Sequence, residues 1–427
     1  MTSNDAPVVP PRSEAPEVAD RDVTSASAAA PFPGSFRVWL GGATVSAVGD
    51  GVLFFAIGWT AAGLGGQMAG LLLSLVVLPR TVLMLVGGAV GDRFGLRRSV
   101  IGCDVVMCGV LVTYLVAEQS PLPASVLLGG LALAIGTVSA FRLPASGALP
   151  RLFVTDDVLP RAMSVTGSLL QIARMVGPPL GGLVVVITGM TGAVSVNLLS
   201  FAVIVLVLVM VVPPYEQPPP AGADSTLRQI IEGLRAVRRI PGTGALLGAV
   251  ALIAGSLLPV LSLCVPLAAR EREWSATATG LVEATWIVGT LGVSLVVAKW
   301  GTWPRPVRPL ALGPLCAGVG VLGIAVSPTP GFAIVGALVM GVGTAAFTTH
   351  VAPLYVLRTP EGMLARFQAL FGVVQSAAIL VVHNVLGAVA GTGGAALAMT
   401  VAAVLSVCAA LVIIASPTLR AARTTTE

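Results

Sequence analysis

The sequence predicts an all-α membrane protein: twelve transmembrane helices in two pseudo-symmetric six-helix bundles. Three observations predict it. Charged residues make up 10% of the 427-residue chain and apolar ones 56%, with a mean hydropathy of +0.95, whereas a soluble domain carries about a quarter charged residues. Twelve apolar stretches are long enough to cross a hydrocarbon core of about 30 Å as helices, and they fall into six, a polar break and six. The basic residues then gather on one side of the bilayer, as they do on the cytoplasmic side of membrane proteins.

Taken in order, residues 1–35 are rich in Pro, Ser, Ala and acids and have no charged lead-in to an apolar core. They read as a disordered cytoplasmic tail and not as a signal peptide. The first bundle, 36–213, holds spans one to six at 36–63, 69–91, 99–117, 122–142, 162–188 and 192–213. A cytoplasmic linker over 214–241 follows. It opens on Pro213-Pro214 and Pro218-Pro219-Pro220 and continues into a basic amphipathic stretch, Thr226 to Arg239, suited to lying along the membrane surface. The second bundle, 242–416, holds spans seven to twelve at 243–268, 276–298, 309–326, 331–353, 365–389 and 393–416, and 417–427 is a cytoplasmic tail. The Gly and Pro content, 50 and 31 residues, is tolerable in helices whose neighbours re-satisfy freed backbone groups.

With the N-terminus inside, 20 of the 24 basic residues fall on the cytoplasmic side, Arg142 among them. Only Arg270 and Arg272 fall outside, while Arg80 and Arg174 lie within spans. An even span count with both termini cytoplasmic, in the inner (plasma) membrane, satisfies this asymmetry. The same distribution explains the net charge of +5 without a nucleic-acid partner. The cysteines, Cys103, Cys108, Cys264, Cys316 and Cys408, each sit in an apolar run with neither metal nor disulfide spacing, and read as packing residues.

The halves repeat each other. Leu159-Pro-Arg161-Ala-Met-Ser-Val165 precedes span five and Leu364-Ala-Arg366-Phe-Gln-Ala-Leu370 precedes span eleven. Asp156 corresponds to Glu361 and Gly182 to Gly387 at the same offset. Internal repeats of this kind build central sites that alternate between two sides of a membrane.

Two motifs carry a family resemblance. Between spans two and three the chain reads Gly87-Gly88-Ala-Val-Gly91-Asp92-Arg93-Phe-Gly95-Leu96-Arg97-Arg98. This resembles the signature loop of the major facilitator superfamily, with Leu96 in place of the first Arg of the closing run. Span five carries Ala173-Arg174-Met-Val-Gly177-Pro178-Pro179-Leu-Gly181-Gly182, similar to the superfamily's antiporter signature, with Ala173 replacing its first Gly. Softer similarity to the macrolide-efflux and enterobactin-exporter branch runs through Phe36 to Gly41, Gly49-Asp50-Gly51, Pro79-Arg80 and Arg358-Thr-Pro360-Glu361-Gly362.

The resemblance implies a major facilitator fold and a cytoplasmic gate formed by Gly88, Gly91, Asp92, Arg93, Gly95, Arg97 and Arg98. Asp92 there is suited to cap the N-terminus of span eleven. It also implies that spans one, four, seven and ten line most of a central cavity, and that Gly177, Pro178, Gly181 and Gly182 pack and kink span five against leak.

A charge kept near the bilayer centre is a functional candidate. Asp50 in span one is read as a proton-carrying or substrate-contacting carboxylate, paired with Arg80 of span two or Arg174 of span five; a permanently ionised structural pair is the alternative. Glu283 in span eight is a second proton carrier, with His383 in span eleven placed to share its proton or simply to pack. Asp104 in span three reads as an interfacial or latch residue, and Trp59 and Trp286 as possible substrate contacts. His350 is given no role.

The sequence has no P-loop, no zinc spacing and no nucleophile–base pattern, so neither an enzyme nor a cofactor is expected. The expectation is a monomeric, proton-coupled exporter of a small amphipathic compound such as a drug, antibiotic or secondary metabolite. A proton-coupled metabolite importer and a lipid-handling protein of the same fold are the rivals.

Overall fold

The computed structural model describes residues 31–215, 235, 237, 240–360 and 363–421. Inside the helices, the side chains of 84–94 and of 364 and 365 are not among those described. The expected disordered tail, apart from residues 31–35, therefore lies outside the described residues. So do most of the amphipathic linker, the side chains of Gly88, Gly91, Asp92 and Arg93, Glu361, and residues 422–427.

Every regular element among the described residues is a helix. Among the described residues ten helices are long and apolar enough to cross a membrane, and two of them, each 52 residues long, extend over two of the expected spans. Spans one to four are the helices Gly34–Ala62, Gly66–Phe94, Leu96–Ala117 and Ala124–Ala148. Spans five and six are one helix, Leu159–Met210. Span seven runs through Thr243–Glu271 with a π turn at Val260–Cys264. Spans eight, nine and ten are Ala276–Trp300, Val307–Ala325 and Pro330–Leu357, and spans eleven and twelve are one helix, Leu364–Ala415.

Each double helix is 52 residues long, about 78 Å at 1.5 Å per residue and so far beyond one bilayer thickness. Each leaves helical geometry at one glycine, Gly189 at φ 67° and Gly394 at φ 78°. Such backbone is costly for residues with a Cβ but accessible to glycine, so the chain reverses there with no loop. The repeat seen in sequence extends to these elements: 364 against 159, 394 against 189 and 415 against 210 each differ by 205 residues. At the signature loop, spans two and three are separated by Gly95 alone, at φ 86°.

Apolar residues are spread over both the buried and the exposed surfaces, with Leu, Val and Ile facing outward along nearly every span. This is the surface of a protein whose solvent is lipid. The loops rich in Arg define a basic end, and the joins at Gly63–Gly65, residues 118–123 and residues 272–275 mark the opposite end.

Candidate functional site

The first six spans meet the last six in two seams, both reaching the end opposite the basic loops. In one, spans two and eleven approach so closely that a Cβ on Gly66 would lie 2.8 Å from the Gly387 carbonyl oxygen. Farther in, Asn384 Nδ2 donates to Ser74 Oγ at 2.7 Å, and Val77, Ala254 and Ile379 pack together. In the other, the backbone of Gly182 lies against Ala276 and Thr277, and that of Gly280 against Pro178 and Pro179. Gly182 and Gly387, paired by the repeat, thus occupy equivalent places in the two seams.

The same end is latched by Arg270 of span seven. Its guanidinium lies 4.5 Å from the Trp59 ring centroid and its Nε donates to the Trp59 carbonyl at 2.9 Å. The neighbouring Glu271 accepts from the Ala395 N–H at 2.8 Å. Trp59 therefore carries a gate contact, a role the sequence did not suggest for it.

At the basic end the described contacts stay within each half. Arg97 donates to the Leu208 and Val209 carbonyls at 2.7–3.2 Å, placing a cation at the negative C-terminus of span six. Arg98 is exposed. His350 Nε2 accepts from the Trp303 N–H at 3.2 Å and its Nδ1 lies 2.9 Å from the Ala346 carbonyl, so both ring nitrogens are engaged.

Between the seams and the basic end lies the charged cluster. Its centre is Arg142, which the sequence reading assigned to a cytoplasmic loop. Span four does not end at 142 but continues to Ala148, which puts Arg142 inside the helix. Arg142 Nε donates to Asp104 Oδ1 at 2.5 Å, a second nitrogen donates to Ser46 Oγ at 3.2 Å, and the guanidinium sits 5.1 Å from the Phe201 centroid. Asp50 Oδ2 is 3.9 Å from Arg142 Nη1.

One expectation is corrected here. Asp104, read as an interfacial or latch residue, is fully buried and takes the tighter of Arg142's two carboxylate contacts. Asp50 pairs with Arg142, not with Arg80 or Arg174, because Arg142 projects from the neighbouring span. Neither Arg80 nor Arg174 makes an ion pair among the described residues.

The span-five motif lies against this cluster. Gly177 meets the backbone of Gly51, the residue after Asp50, and a Cβ on Gly51 would lie 2.8 Å from the Gly177 Cα. Gly181 packs against Val52 and Phe55, and Ala173 is buried. One face of the motif thus sets span one beside Asp50, while Pro178 and Gly182 form the seam with span eight.

On the other wall, Glu283 is half-buried and has no ion pair among the described residues. His383 is not its partner. The imidazole Nε2 lies 3.0 Å from Ser262 Oγ of span seven, and Nδ1 is buried with no described partner. Trp286 donates from Nε1 to Thr344 Oγ1 at 3.2 Å, which holds its indole against span ten.

Sequence reasoning missed Arg142 and the latch residue Arg270. A signal for the first was present: an acid in span three and an arginine in span four at similar depth from the basic end.

Comparison with known proteins agrees with this architecture. A family model described as Major Facilitator Superfamily matches residues 39–383. Macrolide efflux protein A of Streptococcus pyogenes is 24% identical over 341 residues, covering 76% of this chain and 83% of that protein. The protein of that name from Enterococcus faecalis is 23% identical over 294 residues, covering 66% and 90%. Among solved structures, a bacterial homologue of the human lysosomal transporter Spinster, inward-facing and unoccupied, superposes with a TM-score of 0.71 at 13% identity, covering 91% of this chain and 98% of that one. A bacterial homologue of the iron transporter ferroportin in its inward-facing state gives 0.71 at 16% identity, with coverages of 91% and 99%.

Proposed function

The chain belongs to the major facilitator superfamily, a multi-pass membrane transporter and not an enzyme, and on that premise we propose that it exports a small amphipathic compound in exchange for protons. In this reading two bundles, 36–213 and 242–416, rock about the central cluster. The protein sits in the plasma membrane with both termini cytoplasmic, and the end sealed by the two seams is the outer one. The direction rests on the macrolide-efflux relatives and on the antiporter-like motif packed beside Asp50.

The observation that carries the proton is the sharing of Arg142 between two carboxylates. One guanidinium neutralises one carboxylate. Asp104, buried and in direct hydrogen bond, takes that charge. Asp50 is held only at 3.9 Å, with 31% of its side chain exposed, and is left as the surplus negative charge. A surplus carboxylate in a low-dielectric site is stabilised either by a proton or by a cation. Protonation of Asp50 on one side and its loss on the other couples the gradient to the conformational cycle. Glu283 is the second carboxylate available to the same cycle.

The test is proton release from purified protein in detergent on adding a panel of amphipathic compounds, norfloxacin and a macrolide among them, in wild type, Asp50→Asn and Glu283→Gln. Release in wild type that is lost in Asp50→Asn supports the reading. Binding with no proton release in any variant removes the proton from it, and transport toward the cytoplasm in vesicles reverses the direction.

A further inference from the structure

We infer that the cargo is a zwitterionic amphiphile, which brings an ammonium to Glu283 and an acidic group to Arg174 and Arg80. This rests on the exporter reading above and names the class of molecule its cavity takes.

The faces of three helices carry the inference. Arg80, Arg174 and Glu283 each follow an exposed, lipid-facing residue by two positions: Leu78, Ile172 and Leu281. At 100° per residue that places each charge about 200° around its helix, directed into the bundle. This is where charged residues within membrane spans belong.

The seam fixes how they face one another. Gly280 and Pro178 are in contact. Glu283 lies one turn below Gly280, and Arg174 one turn below Pro178, on the side where the walls part. An acid on span eight and a guanidinium on span five thus stand just below the seam, and they make no ion pair among the described residues.

The balance of charge selects the cargo. Asp104 and Asp50 both turn to Arg142 and pair with neither Arg80 nor Arg174, which have no acidic partner among the described residues. A purely cationic cargo drawn to Glu283 meets two guanidinium groups on the facing wall. A purely anionic cargo meets Glu283. A zwitterion satisfies both walls and desolvates neither charge alone. The ammonium side is further built by Trp286, one turn from Glu283, whose ring is held by Thr344 and offers a face to a cation. Phe54, exposed one turn above Asp50, offers apolar wall for the body of the molecule.

The experiment uses three probes on one ring system: norfloxacin, a zwitterion; its ethyl ester, a cation; and its N-acetyl derivative, an anion. Binding to the purified full chain in a non-ionic detergent is measured by equilibrium dialysis. Norfloxacin is expected to bind at least tenfold more tightly than either derivative. Glu283→Gln should erase its advantage over the N-acetyl compound, and Arg174→Gln its advantage over the ester. In each variant the probe lacking the matching charge should bind at least as well as in wild type, because the repelling group is gone, which controls for folding.

Equal binding of ester and zwitterion, no binding of any probe, or ratios unchanged in both variants overturns the inference. The exporter reading is judged separately by uptake into proteoliposomes. Preference for the ester with uptake driven by a pH gradient overturns the zwitterion and leaves the exporter standing. Tenfold preference for norfloxacin with uptake blind to the gradient upholds the zwitterion and removes the proton.

Discussion

Arg142 and Asp104 stabilise each other only as a pair, and that is how each can be tested. Breaking a buried pair by removing one partner typically costs about 3–5 kcal/mol, whereas replacing both by apolar groups is often neutral. Arg142→Ala strands the buried Asp104, so a marked fall in melting temperature is expected. Arg142→Met combined with Asp104→Leu should recover most of it without restoring pH-dependent transport. If the double variant melts as low as the single one, the pair is not what holds spans three and four together. Asp50→Asn is expected to keep its stability and lose its pH response. Wild-type export should rise as the far side of the membrane is acidified, because protonation there resets the surplus carboxylate; export by the variant should be flat over the same range. A variant that still responds would move the proton to Glu283. Asp50 and Glu283 were legible in the sequence as charges at membrane depth. Arg142 was not, because hydropathy ends span four where the arginine stands, while the helix runs on to Ala148.

The helices show the same division between what a one-dimensional pattern reveals and what it hides. Span positions follow from apolar length alone, and all twelve expected segments lie in helix. The continuity of Leu159–Met210 and Leu364–Ala415 was hidden, since a single glycine at positive φ breaks the helix with only threonines, and no charged residue, beside it to mark a loop. The repeat was visible in Gly182 and Gly387, but the reason for those glycines lies in the partner helix, which periodicity does not name. At the seam the consequence is direct. A side chain on Gly280 would overlap the Pro178 carbonyl, and overpacking of this kind costs roughly 1–3 kcal/mol, a five- to hundredfold change in an equilibrium. Gly280→Val should therefore spread the end opposite the basic loops. Spin labels at Gln119 and Thr329, both exposed there, should report a longer distance population than in a wild-type background. An unchanged distribution would mean that the seam yields without separating.

For the molecule as a whole, the seams and latch close one end, and under the proposed function they compete with a closure by the signature loop at the other. Hydropathy and charge asymmetry made the six-plus-six plan readable, but not which end is closed, because the conformations share one sequence and differ only in small contact energies. Arg270 is placed to tip that balance. It crosses from span seven to Trp59 of span one, while Glu271 ties the same turn to the start of the span-twelve arm at Ala395. A cation–π contact contributes about 0.5–1 kcal/mol at an exposed site and about 2 when desolvated, so Arg270→Gln should favour opening of this end by roughly two- to thirtyfold. Glu271→Gln keeps the Trp59 contact and weakens only the anchor within its own half, so its effect should be smaller. The expected readout is faster alkylation of a cysteine placed at Ala390, half-buried against Gly66 in the span two–eleven seam, in Arg270→Gln than in Glu271→Gln, each measured against the same cysteine alone. If the two latch variants alkylate at the same rate, the cross-half contact of Arg270 is incidental and the glycine seams alone decide which end of the transporter is shut.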